Sequence, residues 1–462
     1  MNNKLIFNIK NYSESIKFLL ITFVIETSWQ ENQQNGYVMR MGVAYIASHL
    51  VESGHQVNIY YCPYTDSEEV LCKNISREIE EFKPDIIGFS VTSDNFWMLQ
   101  VSTKYISNNY NLPIIVGGSH AIIDPNSVME LTGVSGVCLG EGETPMVNLA
   151  NALAEGKSIT SIDGLFLKGQ AGPPSNGLIH DINNLCYPER SNYLKKYSGR
   201  LRNGWIFQSH RGCPYRCSFC SEDFFKKKFQ TKKYIRARQI DSFIEEIKHT
   251  TSNYSTKFSK FIGFSNPTFN ISSTWVFDFC DKYSDTIGFP FGCDIELSNL
   301  TEEMAKALAQ ANCCEAWIGF ESGNDFIRKE ILRKNLTTSQ AIKNVEILKS
   351  AGIKVVLYAI VGLPFETEEM IRDTYTTLKK LDADAIFPSI FLPFPGTKLG
   401  ELCFKNGWAQ RINKDNSFPV RGYYKSILKY PHITSEKIES YHQKIRSLNR
   451  NQPVSSRPVA HT

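Results

Sequence analysis

The chain has 462 residues, of which 42% are hydrophobic and 21% charged, as in a globular protein of two or three domains. The net charge of +4 is too small to indicate nucleic-acid binding, and no apolar stretch is long enough for a transmembrane helix. The apolar segment 17–25 is short and lacks a small-residue cleavage site, so we expect no signal peptide. Twelve cysteines without a secretory signal favour the reducing cytoplasm.

Strands and helices alternate from about residue 17 to residue 155. Apolar stretches predict five strands: Phe18–Val24, Gln56–Tyr61, Asp85–Ser90, Pro113–Gly118 and Val134–Leu139. The third and fourth end in small residues. Strands that are apolar throughout are buried on both faces, so the pattern predicts a doubly wound parallel sheet. Such sheets bind ligands at the carboxyl ends of their strands, where Ser90, Gly117, Gly118 and Gly140 lie.

The composition changes between residues 160 and 200. Two short apolar segments, Gly164–Lys168 and Leu178–His180, flank a stretch rich in glycine and proline at 171–177. This pattern predicts a hairpin followed by a linker. We therefore assign 1–160 to the first domain and 161–203 to the hairpin and linker.

A second alternation of strands and helices covers residues 204–395. The predicted strands are 205–209, 260–264, 290–295, 315–320, 353–360 and 384–391. The predicted helices are 239–249, 272–283, 301–311, 338–351 and 367–380. Six strands with helical crossovers fit a partial barrel at 204–396, which leaves 397–462 as a short C-terminal segment with a frayed tail.

Three cysteines follow the first predicted strand of this barrel, in the stretch Cys213-Pro214-Tyr215-Arg216-Cys217-Ser218-Phe219-Cys220. Thiolates are soft ligands that suit iron–sulfur clusters, zinc and copper(I). Cubane clusters usually take four cysteines, but no fourth cysteine follows nearby, so one iron would stay open to a substrate or cofactor. The alternative is a structural zinc site with His210 as the fourth ligand.

The spacing CxxxC-aromatic-x-C, with Phe219 as the aromatic residue, resembles the signature of the radical S-adenosylmethionine (SAM) superfamily. The resemblance implies that Cys213, Cys217 and Cys220 hold a 4Fe-4S cluster and that SAM binds its open iron. An electron from the cluster then cleaves SAM to a 5′-deoxyadenosyl radical. The resemblance also implies an electron donor such as flavodoxin or ferredoxin, and a (β/α)6 radical SAM barrel.

The first domain resembles the Rossmann-like cobalamin (B12)-binding domain that is fused to one large group of radical SAM enzymes. Ser90 stands at that domain's small polar residue, and Gly117 and Gly118 stand 27 residues later at its two glycines. The resemblance implies that a side chain at either glycine would collide with the nucleotide tail of cobalamin. Other matching segments are Gly118–His120 and Gly140–Glu143, which includes Glu141.

One mark of the B12-binding domain is missing. The loop Asp-x-His-x-x-Gly, whose histidine binds cobalt, has no counterpart near residues 30–45. This leaves the lower axial ligand open, together with the alternative that the domain is a degenerate Rossmann-like fold that binds nothing.

Three turns of the barrel carry candidate SAM-binding residues, and one of these turns departs from the pattern of the group. Glu321, with Ser322 beside it, belongs to the strand-end motif Gly319–Gly323 and would contact SAM or close its site; the alternative is a helix N-terminal acid. Glu296 ends the third strand and would face the ribose. Asn266 stands where the group usually has paired acids or Gly-Gly-Glu, and it would accept a hydrogen bond from the amino group of SAM.

Other polar residues of the barrel have two interpretations. Glu366, in the Gly362–Thr367 turn, either shapes the SAM pocket or is purely structural. Arg236 and Arg238 follow the cysteine loop and meet either the SAM carboxylate or only the surface. The basic run 226–233 reads as solvated surface. Cysteines 293, 313 and 314 read as buried small apolar side chains.

These resemblances predict a cobalamin-dependent C-methyltransferase that acts on an unactivated carbon of a small molecule or natural-product intermediate. Such a carbon has no lone pair with which to attack SAM, so a radical must first remove its hydrogen. The second hypothesis keeps the radical chemistry without methyl transfer, as in cyclisation, rearrangement, oxidation or aminocarboxypropyl transfer. The third is a zinc-stabilised scaffold without enzymatic activity. We expect a small-molecule substrate, no nucleic acid and no membrane span.

Overall fold

Six strands form the sheet of the N-terminal half. The computed structural model describes residues 14–24, 39–157, 159, 161–170, 177–197, 205–254, 261–412 and 425–449. The strands are β1 (Lys17–Val24), β2 (Gln56–Pro63), β3 (Ile86–Ser90), β4 (Ile114–Gly117), β5 (Val134–Cys138) and β6 (Leu165–Leu167). Their order is β2-β1-β3-β4-β5-β6, and all neighbours are parallel except β5 and β6. The predicted doubly wound parallel sheet is confirmed, with its switch point between β1 and β3.

Helices cross between these strands and cover the sheet. They are α1 (Met41–Glu52), α2 (Glu68–Phe82), α3 (Phe96–Asn109), α4 (Ser119–Ile123), α5 (Pro125–Met129), α6 (Glu143–Ala154) and α7 (Ser191–Tyr197). The strands are buried almost throughout, because helical crossovers pack on both faces of a parallel sheet.

The predicted hairpin between 164–168 and 178–180 is wrong. Strand β6 pairs antiparallel with β5, from Gly136↔Leu167 to Cys138↔Leu165, and 178–180 forms no strand. A tight bridge between Ile162 and Leu165 reverses the chain instead. The apolar residues of β6 are better buried at the open edge of the large sheet than in an isolated two-stranded hairpin. Residues 171–176 lie outside the described residues.

A second sheet of six parallel strands follows in the C-terminal half. It contains β7 (Trp205–Phe207), β10 (Ile262–Phe264), β11 (Phe291–Asp294), β12 (Cys313–Glu321), β13 (Lys354–Val361) and β14 (Ala385–Ile390). The strands follow one another in chain order, and β14 does not pair with β7 within the described residues. This is the predicted partial (β/α)6 barrel.

Five helices connect the barrel strands, close to their predicted positions. They are α9 (Ile240–Asn253), α10 (Ser273–Thr286), α11 (Glu302–Gln310), α12 (Thr338–Ser350) and α13 (Glu368–Leu381). The predicted caps form: the hydroxyls of Thr301 and Thr367 accept the backbone N–H of Met304 and Met370. Gly352 follows α12 with φ +81°, a conformation that favours glycine.

The remaining elements surround the cysteine loop or belong to the C-terminal segment. They are β8 (His210–Arg211), α8 (Ser221–Phe229), β9 (Arg236–Ala237), α14 (Lys398–Lys405) and α15 (Ser435–Arg446). The chain divides into two compact units, consisting mainly of residues 1–202 and of 203–411 with 420–461. None of the described helices combines the length and apolar character needed to cross a membrane.

Candidate active site

The cysteine loop is closed at its base by two short strands. Strand β8 pairs antiparallel with β9, so residues 212–235 form one excursion from the end of β7. At its start Gly212 has φ +83°, and a Cβ there would lie 2.4 Å from the carbonyl oxygen of Tyr234. Only glycine fits this position, because both the dihedral angle and the close approach exclude a side chain.

Ser218, in the middle of the loop, is bound to two neighbouring segments. Its backbone N–H donates to the carbonyl of Leu332 at 3.1 Å, and its own carbonyl accepts the N–H of Leu399 at 3.0 Å. Its hydroxyl donates to the carbonyl of Ile331. The loop is therefore held from the connection after β12 and from α14.

The three cysteines of the loop are free thiols close enough to influence one another's ionisation. Burial raises the pKa of Cys213 to about 12 and that of Cys217 to about 11, and it also raises the pKa of Cys220. Soft thiols without a disulfide or other partner are the donor set that an iron–sulfur cluster requires, and binding would release their protons. The predicted ligands therefore fit a cluster, and Phe219 lies half-buried among them.

A single zinc ion fits the site less well. Across the part of the chain described here, no three His, Cys, Asp or Glu side chains converge closely enough to hold one ion. His210 is buried, its Nδ1 pairs with the hydroxyl of Ser209 at 2.7 Å, and its ring packs on Trp275. A cluster does not need its thiolates to converge on one point, because each binds a different iron.

A buried ammonium group joins two of the predicted cofactor-binding carboxylates. Lys334 Nζ lies 3.1 Å from Glu296 Oε2 and 3.9 Å from Glu321 Oε1, and it donates to the carbonyl of Gly319 at 2.5 Å. The side chains of Lys334 and Glu321 are 8% and 5% exposed. We call Glu296, Lys334 and Glu321 the buried triad. Its charge also acts on Cys217, whose pKa Lys334 lowers and the two glutamates raise.

Backbone strain positions Glu321 in this triad. The pairing of β12 with β13 shifts register between Gly319 and Glu321, and Glu321 has φ +65°. A Cβ on Gly319 would lie 2.4 Å from Glu321 Oε1, so the glycine makes room for the carboxylate. Burial raises the pKa of Glu321 to about 7, with Lys334 opposing the rise. Strained, non-glycine residues of this kind concentrate at functional sites.

The turn after Glu321 is held by its own contacts. Ser322 is fully buried, and its hydroxyl lies 3.2 Å from that of Thr374 and accepts the N–H of Asn324. Arg328 donates to the carbonyl of Ser322 and to Asp325 at 2.7 Å. The hydroxyl of Ser322 is thus engaged within the turn, so its predicted contact with a cofactor stays a prediction.

Asn266 uses its oxygen differently from the sequence-based expectation. Its Oδ1 accepts the N–H groups of Ser209 and His210 at 2.8 and 3.1 Å and lies 3.3 Å from the hydroxyl of Ser209. Its Nδ2 is buried and has no partner within the described residues. The expected acceptor is therefore occupied in fixing the end of β7, and Asn266 offers a donor instead.

Two further residues make their contacts within the chain. Glu366 accepts the N–H groups of Gly362 and Leu363 at 2.7 and 3.1 Å, which closes its own turn. Arg238 is fully buried and pairs with Glu246 at 2.8 Å, so it neither lies at the surface nor faces an open site.

In the N-terminal sheet the two predicted glycines differ. Gly118 has φ +95°, and a Cβ there would lie 2.5 Å from the backbone N and O of Val91. The chain itself therefore requires glycine at 118, and the expected close approach of a cofactor there stays a prediction. A Cβ on Gly117 would have Cys138 as its nearest neighbour, at 3.4 Å, an ordinary contact. Nothing within the described residues therefore requires glycine at 117, next to Ser90 at the end of β3.

The two other motif residues of this sheet, Glu141 and His120, contact the chain. Glu141 accepts the N–H of Ile179 at 2.6 Å and donates its own N–H to Gly177 at 2.9 Å. His120 is fully buried, pairs with the hydroxyl of Ser93 at 2.8 Å and packs on Phe96. The cobalt-binding loop would lie near residues 30–45, and residues 30–38 of that segment are outside the described residues.

Sequence reasoning missed Lys334, the centre of the buried triad. The residue lies 13 positions after Glu321 in a polar stretch, Arg328–Lys334, that reads as solvated surface. The one available signal was the pair of predicted carboxylates, Glu296 and Glu321, because two buried acids near each other require a cation.

Comparison with known families agrees with both halves of this fold. Residues 207–378 match the radical SAM superfamily, and residues 34–150 match the B12 binding domain.

Individual relatives are distant but cover most of the chain. An uncharacterized methyltransferase of Pyrococcus horikoshii is 27% identical over 405 residues, 86% of this chain and 84% of the relative. An anaerobic magnesium-protoporphyrin IX monomethyl ester cyclase of Rubrivivax gelatinosus is 23% identical over 375 residues, 77% of this chain and 65% of the relative. The radical SAM methyltransferase TsrM from Kitasatospora setae, solved with cobalamin and a 4Fe-4S cluster, has a TM-score of 0.67 at 18% identity. That match covers 93% of this chain and 85% of TsrM and shows the shared fold.

Proposed function

Because this chain belongs to the radical SAM enzymes that carry a B12-binding domain, we propose that it is a cobalamin-dependent C-methyltransferase. Its substrate would be an unactivated carbon of a small molecule or natural-product intermediate, and its working compartment the cytoplasm. The observation that carries the proposal is the loop of three free thiols after β7. No fourth cysteine is among the groups that shift their pKa values.

When bound, the cluster supplies the electron that cleaves SAM, and methylcobalamin supplies the methyl group. Cys213, Cys217 and Cys220 would each hold one iron and leave the fourth for SAM. The residues of the chain bind and orient; they do not carry the redox chemistry.

The buried triad supports SAM binding by its charge. Two carboxylates face one ammonium group, so with Glu321 ionised the triad carries a net charge of −1. SAM has a sulfonium, an ammonium and a carboxylate group and is a net cation, which complements this charge. Lys334 keeps Glu296 and Glu321 in place by ion pairing with both, at 3.1 and 3.9 Å, and its charge offsets the repulsion between the two carboxylates.

Gly117 supports cobalamin binding in the N-terminal sheet. It lies at the carboxyl end of β4, beside Ser90, where open parallel sheets bind ligands. A glycine that the chain's own packing does not require leaves a surface that a cofactor can approach closely.

Anaerobic incubation with reductant and SAM deuterated in its methyl group tests the proposal. We expect 5′-deoxyadenosine from the reconstituted enzyme, and a deuterated-methyl product once cobalamin and a substrate are supplied. The absence of iron–sulfur absorption after reconstitution, or one zinc and no sulfide per chain, would refute the radical mechanism and favour the scaffold.

A second candidate keeps radical chemistry without methyl transfer. The turn after β10 favours it, because Asn266 replaces the usual acids and its oxygen is occupied. The cyclase among the relatives belongs to this reaction class by name. Formation of 5′-deoxyadenosine with an altered but unmethylated product would select this candidate.

A further inference from the structure

Positive charge is concentrated in residues 211–239, which we call the cluster-loop lobe. This segment has nine Lys and Arg residues and two acidic residues, a net charge of +7. The rest of the chain has 42 basic and 45 acidic residues, a net charge of −3. The overall net charge of +4 is therefore the sum of a strongly basic lobe and a slightly acidic remainder. A local concentration of charge of this kind is typical of an electrostatic docking site.

Acidic groups compensate part of the lobe's charge: Arg238 pairs with Glu246, outside the lobe, at 2.8 Å. Asp223 is 4% exposed and is already shared by Lys227 at 2.6 Å and Lys398 at 3.5 Å. Glu222 accepts the hydroxyl of Tyr234 at 2.8 Å.

Four cations of the lobe face solvent: Lys227, which pairs with Asp223, and three others. Arg216, Lys232 and Lys233 are exposed, and no ion pair to any of them occurs within the described ranges. Ile235, two residues beyond Lys233, is 38% exposed. Exposed cations close in sequence to an exposed aliphatic side chain are suited to a protein partner, because protein interfaces combine an apolar centre with a polar rim.

The lobe is structurally continuous with the cysteine loop. Lys226 Nζ donates to the carbonyl of Pro214 at 3.2 Å, between the first and second cysteines. Helix α8 begins directly after Cys220, so Lys226 lies only about 9 Å further along the helix axis. A partner bound to the lobe would therefore be near the cluster.

We propose that the exposed cations of the cluster-loop lobe form the docking surface for an acidic electron-carrier protein that reduces the cluster. This proposal rests on the proposed function, since only a bound cluster accepts the electron. The carrier loses one electron and the cluster gains it, with no bond made or broken. Opposite charges speed such an encounter and make it sensitive to salt. Nucleic acid is disfavoured because the exposed large hydrophobic residue here is Ile235, not an aromatic ring for base stacking.

The test compares two double charge reversals in the reconstituted enzyme. Lys232→Glu with Lys233→Glu alters the lobe. Lys379→Glu with Lys380→Glu is the matched control, an exposed lysine pair in the last turn of α13, at the opposite end of the strands from the cysteine loop. Each protein is reduced with dithionite or with reduced flavodoxin, an acidic probe, and 5′-deoxyadenosine formation is measured across a series of salt concentrations.

With flavodoxin at low salt we expect the lobe variant to be at least tenfold slower than wild type and to lose most of its salt dependence. The control variant should stay within twofold, and dithionite should support all three proteins equally. An unchanged flavodoxin rate in the lobe variant would overturn the proposal, as would an equal loss with dithionite, which would indicate a damaged cluster site. Loss of transfer-RNA binding in a gel-shift assay with an unchanged flavodoxin rate would assign the lobe to nucleic acid instead. Wild type that yields no 5′-deoxyadenosine with dithionite would refute the proposed function itself.

Discussion

The barrel site and the glycine-lined edge of the N-terminal sheet prepare for their cofactors in opposite ways. In the barrel, unusual residues contact one another: the triad buries three charges and strains the backbone at Glu321. At the sheet edge the unusual feature is Gly117, which has no side chain although no neighbouring residue of the described chain would clash with one. Charged sites can thus be recognised from contacts, whereas a close-approach site is recognised from space that the protein leaves free.

The largest effect should follow from removing the three loop cysteines. Replacing Cys213, Cys217 and Cys220 by alanine should abolish iron–sulfur absorption and 5′-deoxyadenosine formation, because no other thiols adjoin the loop. The matched control replaces Cys72, Cys186 and Cys314, the other part-exposed cysteines, and should keep both signals. Equal losses in the two triple variants would contradict the assignment.

Breaking the buried triad should cost the barrel much of its stability. Lys334→Met leaves two carboxylates buried without their cation, which typically costs about 3–5 kcal/mol. Urea unfolding followed by tryptophan fluorescence measures the loss. Lys306→Met is the control, since its pair with Glu302 is exposed to solvent and contributes little to stability. Similar losses in both variants would show that Lys334 is no more important than a surface lysine.

The two neighbouring glycines should separate folding from cofactor binding. Gly118→Ala should destabilise the N-terminal domain by about 1–3 kcal/mol or more, because it combines a positive φ with a clash against Val91. Gly117→Ala should leave the melting temperature nearly unchanged and weaken hydroxocobalamin binding at least tenfold in equilibrium dialysis. Full binding by Gly117→Ala would remove the argument for a cofactor at this edge.

Acidification should affect the N-terminal domain through His120. Burial lowers the pKa of His120 to about 4. Below pH 6.5, this histidine therefore binds a proton in the unfolded chain but stays neutral in the folded chain until the pH approaches 4. Stability from this group is therefore present above pH 6.5 and falls as the pH drops from 6.5 towards 4, by roughly 3 kcal/mol in total. His120→Gln should flatten that dependence in urea titrations. An unchanged slope would exclude His120 as its source.

Local pattern sufficed for the elements, and the prediction of the cluster ligands also rests on it. Strands such as Ile86–Ser90 are continuous apolar runs, and the cysteines lie within eight residues, so both are encoded over short stretches. Glu141 and Asn266 bind partners that are distant in the sequence. Ile179 is 38 residues from Glu141, and Ser209 is 57 residues from Asn266. Such contacts depend on tertiary packing, for which a single sequence carries no periodic signal.

The erroneous hairpin has the same cause. The segments 164–168 and 178–180 have the composition of paired strands, but the exposed edge of β5 offered β6 a better partner. Competition between a local and a distant pairing cannot be read from either segment alone.

The three backbone and side-chain bonds of Ser218 give the cysteine loop a frame that does not depend on iron. Oxygen can strip a cluster from its thiolates, yet the scaffold around them would stay folded and ready. We therefore expect fresh iron and sulfide to restore a damaged cluster without synthesis of a new polypeptide.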